Sequence, residues 1–216
     1  FTTTHKSPEE IYQTGLTEVS RITAEMEKLK NQMGYTGTLK ELFNYMQTDK
    51  QFMPFKTVQE VLDSNRAVLA KIQPQLQKLF SVAPKTPFEI REVESFRAAA
   101  ASPQYNRSSA DGTRPGIYYI PILDPAKINT TNWPLEATFL HEAIPGHHYQ
   151  ISLLQENTSL PEFRRFSFYP AFAEGWALYC ESLGEQLGCY TDPYQRMGAY
   201  GTEIHRAIRL VVDVGL

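Results

Sequence analysis

The sequence predicts a mainly α fold: a multi-helix, bundle-like array with one small antiparallel β ribbon just ahead of its most chemically loaded helix. Three observations predict it. Capping boxes at Ser7–Glu10 and Thr57–Glu60 each open an apolar run of helical period. From 81 to 132 that period stops, and prolines at 84, 87, 103, 115, 121 and 125 punctuate the chain. From Pro134 onward the helical period returns and persists.

In order, Ser7-Pro8-Glu9-Glu10 sets a proline at the first helical position. Ile11, Leu16, Val19, Ile22, Met26 and Leu29 then recur at three-to-five spacing, giving a helix to about Met33 that Gly34-Tyr35-Thr36-Gly37 ends. A short helix follows from Thr38 to about Thr48. The Thr57 box opens another to about Phe80, which Pro74 is expected to kink or restart because it lacks an amide hydrogen. Two strands fit the proline-rich stretch. Phe88–Phe96 alternates apolar and charged residues, and Gly116–Ile122 is aromatic and β-branched. Their simplest pairing is an antiparallel ribbon with a long connection. Helices are then expected at Pro134–Ile144, His147–Glu156, about Pro170–Leu187 and Asp192–Val214.

The length predicts a single domain, with helical 1–80, loop and ribbon 81–132, and helical 133–216. Phe1 in place of methionine, and a last helix still apolar at Val214-Gly215-Leu216, suggest a piece of a longer protein. An apolar share of 42% with 21% charged residues is that of a globular protein, and a net charge of −3 argues against nucleic acid or an anionic membrane as partner. No apolar run approaches the roughly 18 residues that span a bilayer. Cys180 and Cys189 would stand ~13 Å apart on one helix, too far for a disulfide. A break at Gly184 or Gly188 would permit one.

The chemistry concentrates in His141-Glu142-Ala143-Ile144-Pro145-Gly146-His147-His148, which holds three of the chain's five histidines and one acid. Imidazole and carboxylate are the ligands of a hydrolytic zinc site, commonly spaced H-E-x-x-H on one helix face. Here Pro145 stands where the second histidine belongs. On an unbroken helix His147 would lie about 240° around from His141, and His148 ~10.5 Å further along the axis; neither could share an ion with it. A break at Pro145-Gly146 absorbs the extra residues, making His147 the second ligand and leaving His148 in reserve.

The third ligand is expected at Glu174, within the apolar stretch Ala173-Glu174-Gly175-Trp176-Ala177, where an uncompensated carboxylate is costly. An ion pair of Glu174 with Arg164 or Arg165 is the plainer alternative. Two histidines and a glutamate form a catalytic rather than a structural set, so one zinc ion is expected, with Glu142 as general base and Glu181 able to orient a ligand. Tyr179, Arg206 and Arg209 are the substrate-binding candidates: arginine pairs with a carboxylate and tyrosine can steady an oxyanion. Tyr118, Tyr119, Tyr169 and Tyr200 are equally available, and a structural ion pair suits Arg206 and Arg209 as well. His5 reads as exposed, and Trp133 and Trp176 as core.

These residues point to a zinc-dependent metallopeptidase or amide hydrolase acting on a peptide or amide. The alternative is a non-catalytic helical binding or scaffold module with a vestigial site. Whether His141, His147 and Glu174 converge on one point separates the two.

Several blocks resemble a known family. They are Pro87–Glu94, Ser109–Tyr119, His141–His148, Leu160–Phe166, Glu174–Tyr179 and Arg209–Asp213. Over roughly residues 85 to 216 the chain resembles the bacterial DUF885 family, whereas its first 80 residues match only in being helical. The resemblance implies a helical, gluzincin-like fold related to zinc carboxypeptidases, and hence carboxypeptidase-like activity. It also implies full-length members much longer than this chain, and a periplasmic or lipoprotein-anchored location in the bacterial envelope.

Overall fold

Local capping sets the first helices of the computed structural model, which describes residues 4–132 and 134–215. The Ser7 hydroxyl accepts from the Glu10 amide while the Glu10 carboxylate accepts from the Ser7 amide at 2.7 Å, and α1 runs Pro8–Gln32. A third box, Thr38–Glu41, opens α2 (Leu39–Thr48) in the same way. The Thr57 box opens α3 (Val58–Leu79). Pro74 does not restart that helix. Proline removes only one helical hydrogen bond, and Ile72 before it and Leu76 after it both pack on the core.

The ribbon is a mixed sheet instead of an antiparallel pair. β1 (Phe88–Glu92) and β3 (Gly116–Ile120) run parallel, from Phe88 opposite Gly116 to Glu92 opposite Ile120. β2 (Gln104–Asn106) takes the other edge of β3 antiparallel, with Tyr105 opposite Tyr118. The order is therefore β1-β3-β2. A parallel pair needs a crossover of a dozen or more residues; the long connection supplies it and contributes β2 on the way. β1 stops at Glu92 because the chain turns, leaving Phe96 86% exposed.

The remaining helices are α4 (Leu135–Glu142), α5 (His147–Glu156), α6 (Glu162–Phe166), α7 (Pro170–Ser182) and α8 (Pro193–Gly215). α6 falls where no helix is expected from the sequence, and α7 stops at Ser182 instead of Leu187. Trp133, expected in the core, lies outside the described residues, as does Leu216. Cys180 and Cys189 are buried free thiols, although the helix ends between them.

Two apolar clusters hold these elements. One joins α3, the sheet and α4 through Ile72, Ile120, Phe139 and Leu140, with Leu183 and Leu187 closing it. The other joins α1, α2 and α8 through Ile22, Met26, Leu42, Met46 and Met197. Each fully buried Leu, Ile, Met or Phe contributes about 1.5–3 kcal/mol. α4, α5 and α7 meet beside the first cluster, and α8 reaches them from the second. No helix among the described residues is long and apolar enough to cross a membrane.

Candidate metal centre

The break after α4 follows from two residues. The Ala143 amide makes the last bond of that helix, to Phe139 O at 2.9 Å, and Pro145, after a cis peptide, has no amide hydrogen to continue it. His148 N then reaches back to Ala143 O at 3.1 Å, and α5 starts at His147. Gly146 passes so close to the carbonyl oxygens of His141 and Leu140 that a Cβ there would collide with both. Trp176 Nε1 donates to Pro145 O at 2.8 Å and fastens the break to α7. The result sets the His141 and His147 rings 4.8 Å apart, edge to face.

α7 brings two carboxylates to this pair. Glu174 and Glu181, seven residues apart, share a helix face and flank one imidazole. Glu174 Oε2 stands 3.3 Å from His141 Nε2, and Glu181 Oε1 stands 2.7 Å from His141 Nδ1. The other oxygen of Glu174 is 3.6 Å from His147 Nε2. A donor atom of Glu142 lies within 4.8 Å of donors from both histidines, and the Glu142 carboxylate accepts the Tyr105 amide at 2.9 Å. Glu174 is 55% exposed, so the cluster opens to solvent on that side.

This donor set fits a zinc ion. Ligands on a tetrahedron with bonds of 2.0–2.2 Å stand about 3.3–3.6 Å from one another. Glu174 sets one carboxylate oxygen 3.3 Å from His141 Nε2 and the other 3.6 Å from His147 Nε2, so each imidazole has a carboxylate oxygen near that spacing. Two carboxylates compete for the third position. Glu142 neighbours His141 on the helix, about 100° around it, and already receives the Tyr105 amide. Glu174 arrives from a separate helix and touches both histidines.

Charge points the same way. Three carboxylates, Glu142, Glu174 and Glu181, gather about the two imidazoles, with Arg206 the cation beside them. Burial would lower the His141 pKa, but hydrogen bonds to Glu174 and Glu181 outweigh it and raise the group to about 9. Burial, then the His141 charge, lowers His147 to about 4. Burial also raises Glu142 to about 7, while the His141 hydrogen bond holds Glu174 below the usual carboxylate range. A proton on His141 thus sits where the carboxylates call for a cation.

The other candidates lie elsewhere. His148, buried, turns to the sheet: its Nδ1 is 3.1 Å from the Tyr105 hydroxyl and 3.3 Å from Ser152 Oγ, with the Phe88 ring alongside. Arg206 is engaged by Glu181, Nη2 to Oε1 at 3.0 Å, behind the His141 ring. Tyr179 and Arg209 are exposed and make no hydrogen bond or ion pair to the cluster among the described residues. Tyr179 and Arg206 help line a cavity of about 700 Å³ between α1, α7 and α8. Tyr118 and Tyr200 are buried, Tyr169 and His5 exposed. Arg165 bonds the Gln155 carbonyl and not Glu174. Sequence reasoning missed Tyr105, which sits in a strand too short for any period, and the tie from Trp176 to Pro145, which no residue pattern announces.

A family model for bacterial proteins of unknown function, DUF885, matches residues 1–216, a longer stretch than the blocks from 85 onward that resemble it. Among solved structures, "the putative lipoprotein from Colwellia psychrerythraea" superposes with a TM-score of 0.91 at 33% sequence identity. The match covers 98% of this chain and 37% of that one, so the chain spans well under half the length of its relative. No curated protein matches the chain. The chain belongs to the DUF885 family of bacterial proteins of unknown function.

Proposed function

We propose that the protein is a zinc-dependent hydrolase of peptide or related amide bonds, in which His141, His147 and Glu174 hold one zinc ion and Glu142 is the general base. The observation that carries this reading is that Glu174, from a separate helix, sets one carboxylate oxygen against each of the two imidazoles. Zinc held there would supply Lewis-acid polarisation of the scissile carbonyl and a lowered water pKa. Glu142, positioned by the Tyr105 amide, takes the proton from the attacking water and returns it to the leaving nitrogen. With Glu181 accepting from His141 Nδ1, the Nε2 on the Glu174 side would keep its lone pair for the ion. Arg206 balances the Glu181 charge. The break, tied down by Trp176, fixes the position of His147.

A scaffold with a vestigial site would place Glu174 on an arginine and let the imidazoles diverge. Glu174 instead contacts both histidines and no arginine among the described residues. The description of the Colwellia protein as a lipoprotein supports an envelope location. Carboxypeptidase-like action rests on family resemblance.

Protein purified without chelators should contain one equivalent of zinc by plasma mass spectrometry. Glu142→Gln should retain it while losing hydrolysis of a mixed peptide library. Substoichiometric zinc, together with thermal stability indifferent to EDTA, would overturn the proposal.

A further inference from the structure

A second, open concavity of about 370 Å³ adjoins the cluster and is lined by β2, α5, Arg114 and the segment running from α6 into α7. Its wall includes Tyr105, whose amide holds Glu142, and Ala173, the residue before Glu174. It carries Arg107, Arg114 and Arg165 and no Asp or Glu. Arg21, Arg66, Arg91, Arg97, Arg196 and Arg206 each pair with a carboxylate; of the five arginines that pair with none among the described residues, three line this cavity and Arg164 and Arg209 lie outside it. Three guanidiniums with no carboxylate partner gathered in one concavity make it locally cationic in a chain that is net acidic, a setting that favours an anionic ligand.

Two of them are already held in place. Arg107 Nη1 donates to Phe166 O at 2.7 Å, and Arg165 Nε to Gln155 O at 2.9 Å. A guanidinium has five N–H donors, so each keeps others free, and Arg114 spends none of its own among the described residues. Anchored guanidiniums lose less freedom on binding than loose ones. Phe168, Tyr169 and Phe172, all exposed, give the cavity an apolar rim. The arrangement matches a ligand with a carboxylate joined to an apolar body.

We infer that the Arg107–Arg114–Arg165 cavity is an anion subsite, which binds a carboxylate of the peptide substrate and so selects acidic peptides or free chain ends. That the ligand is a substrate rests on the hydrolase proposed above; its binding does not, and is measured without metal. The probes are acetyl-Ala-Phe-Ala as free acid and as terminal amide, and acetyl-Ala-Phe-Glu-amide against its Gln counterpart, titrated by calorimetry in EDTA. One acid should bind about tenfold or more tighter than its neutral match, which identifies the source of the carboxylate as chain end or side chain. The Arg107→Gln/Arg114→Gln variant should bind both members of that pair alike, and Arg107→Lys/Arg114→Lys should keep part of the preference. Both residues are exposed; if the double Gln variant fails to fold, the acid and neutral probes on the parent protein still decide. Equal binding of acid and neutral probes, no binding of either acid, or a preference that survives the double Gln variant overturns the inference. Acid preference without hydrolysis by zinc-loaded protein sinks the hydrolase and leaves the subsite standing. Hydrolysis indifferent to substrate charge does the reverse.

Discussion

Gly146→Ala tests the break that brings the two histidines together. The added Cβ would meet the His141 and Leu140 carbonyl oxygens well inside van der Waals contact, and backbone oxygens cannot swing aside as side-chain ends do. Overpacking at a site that can relax costs about 1–3 kcal/mol. Two backbone collisions at one atom place this substitution at the upper end, ~3 kcal/mol. For a chain of this size each kcal/mol lowers the melting temperature by about 2–4 °C, so a fall of roughly 6–12 °C is expected. The last turn of α4 must move to make room, and it carries His141, so zinc affinity should fall with stability. Circular dichroism melts in EDTA and zinc titration against a chromogenic chelator read the two effects separately. Gly175→Ala in α7 is the control: no atom lies within 4 Å of its Cβ, and it should gain up to about 1 kcal/mol. A Gly146→Ala protein melting within about 2 °C of its parent would refute close approach as the reason for glycine there.

Three further outcomes are expected. Glu181→Gln keeps shape but drops the charge facing His141 and Arg206; zinc affinity should weaken about 10–100-fold in a competition titration, and an unchanged affinity would deny Glu181 its orienting role. Burial pushes the Cys180 and Cys189 thiols up to about 12, so native protein at pH 8 holds only about one thiolate in ten thousand and should resist iodoacetamide until unfolded. Mass spectrometry showing prompt alkylation of the folded protein would contradict that burial. Hydrogen bonds from the Ser109 hydroxyl and then the Thr113 amide hold the Asp111 carboxylate at about 2, below its ordinary 3.8. Because the folded value is the lower, this loop contact is fully present above about pH 4 and is lost as pH falls through 2. An Asp111 titration by NMR with its midpoint near 3.8 would remove the contact.

The long helices were legible because their causes are local. A capping box spans four residues, and an apolar stripe announces the rest, so α1 and α3 start where the sequence places them. Strand pairing depends on partners far apart in sequence, and the three residues of β2 leave no period to read; the parallel pairing of β1 with β3 followed from a strand that gives no signal of its own. At the candidate metal centre, rotation per residue was enough to see that His141 and His147 need a break between them to meet. Glu174 was marked by an apolar setting that the fold does not give it: its side chain is 55% exposed, and contact with both histidines is what sets it apart. What stayed illegible involves backbone groups and convergence. The Tyr105 amide on Glu142 and the Pro145 carbonyl under Trp176 are main-chain atoms that every residue has. Arg107, Arg114 and Arg165 come from three separate segments and become a group only on folding. Arg206 was readable as salt bridge or substrate anchor, and its choice of Glu181 depends on how α8 lies against α7.

The two acids of α7 hold the His141 ring as the jaws of a caliper hold a gauge block. Their backbones stand two turns apart on one helix, so a shift of that helix carries both jaws together. That helix, α7, is seated against α4 and α5 with the short buried side chains of Ala173, Ala177 and Cys180. A bulkier residue at Ala177 would therefore disturb the Glu174 and Glu181 contacts together, at both ends of the imidazole.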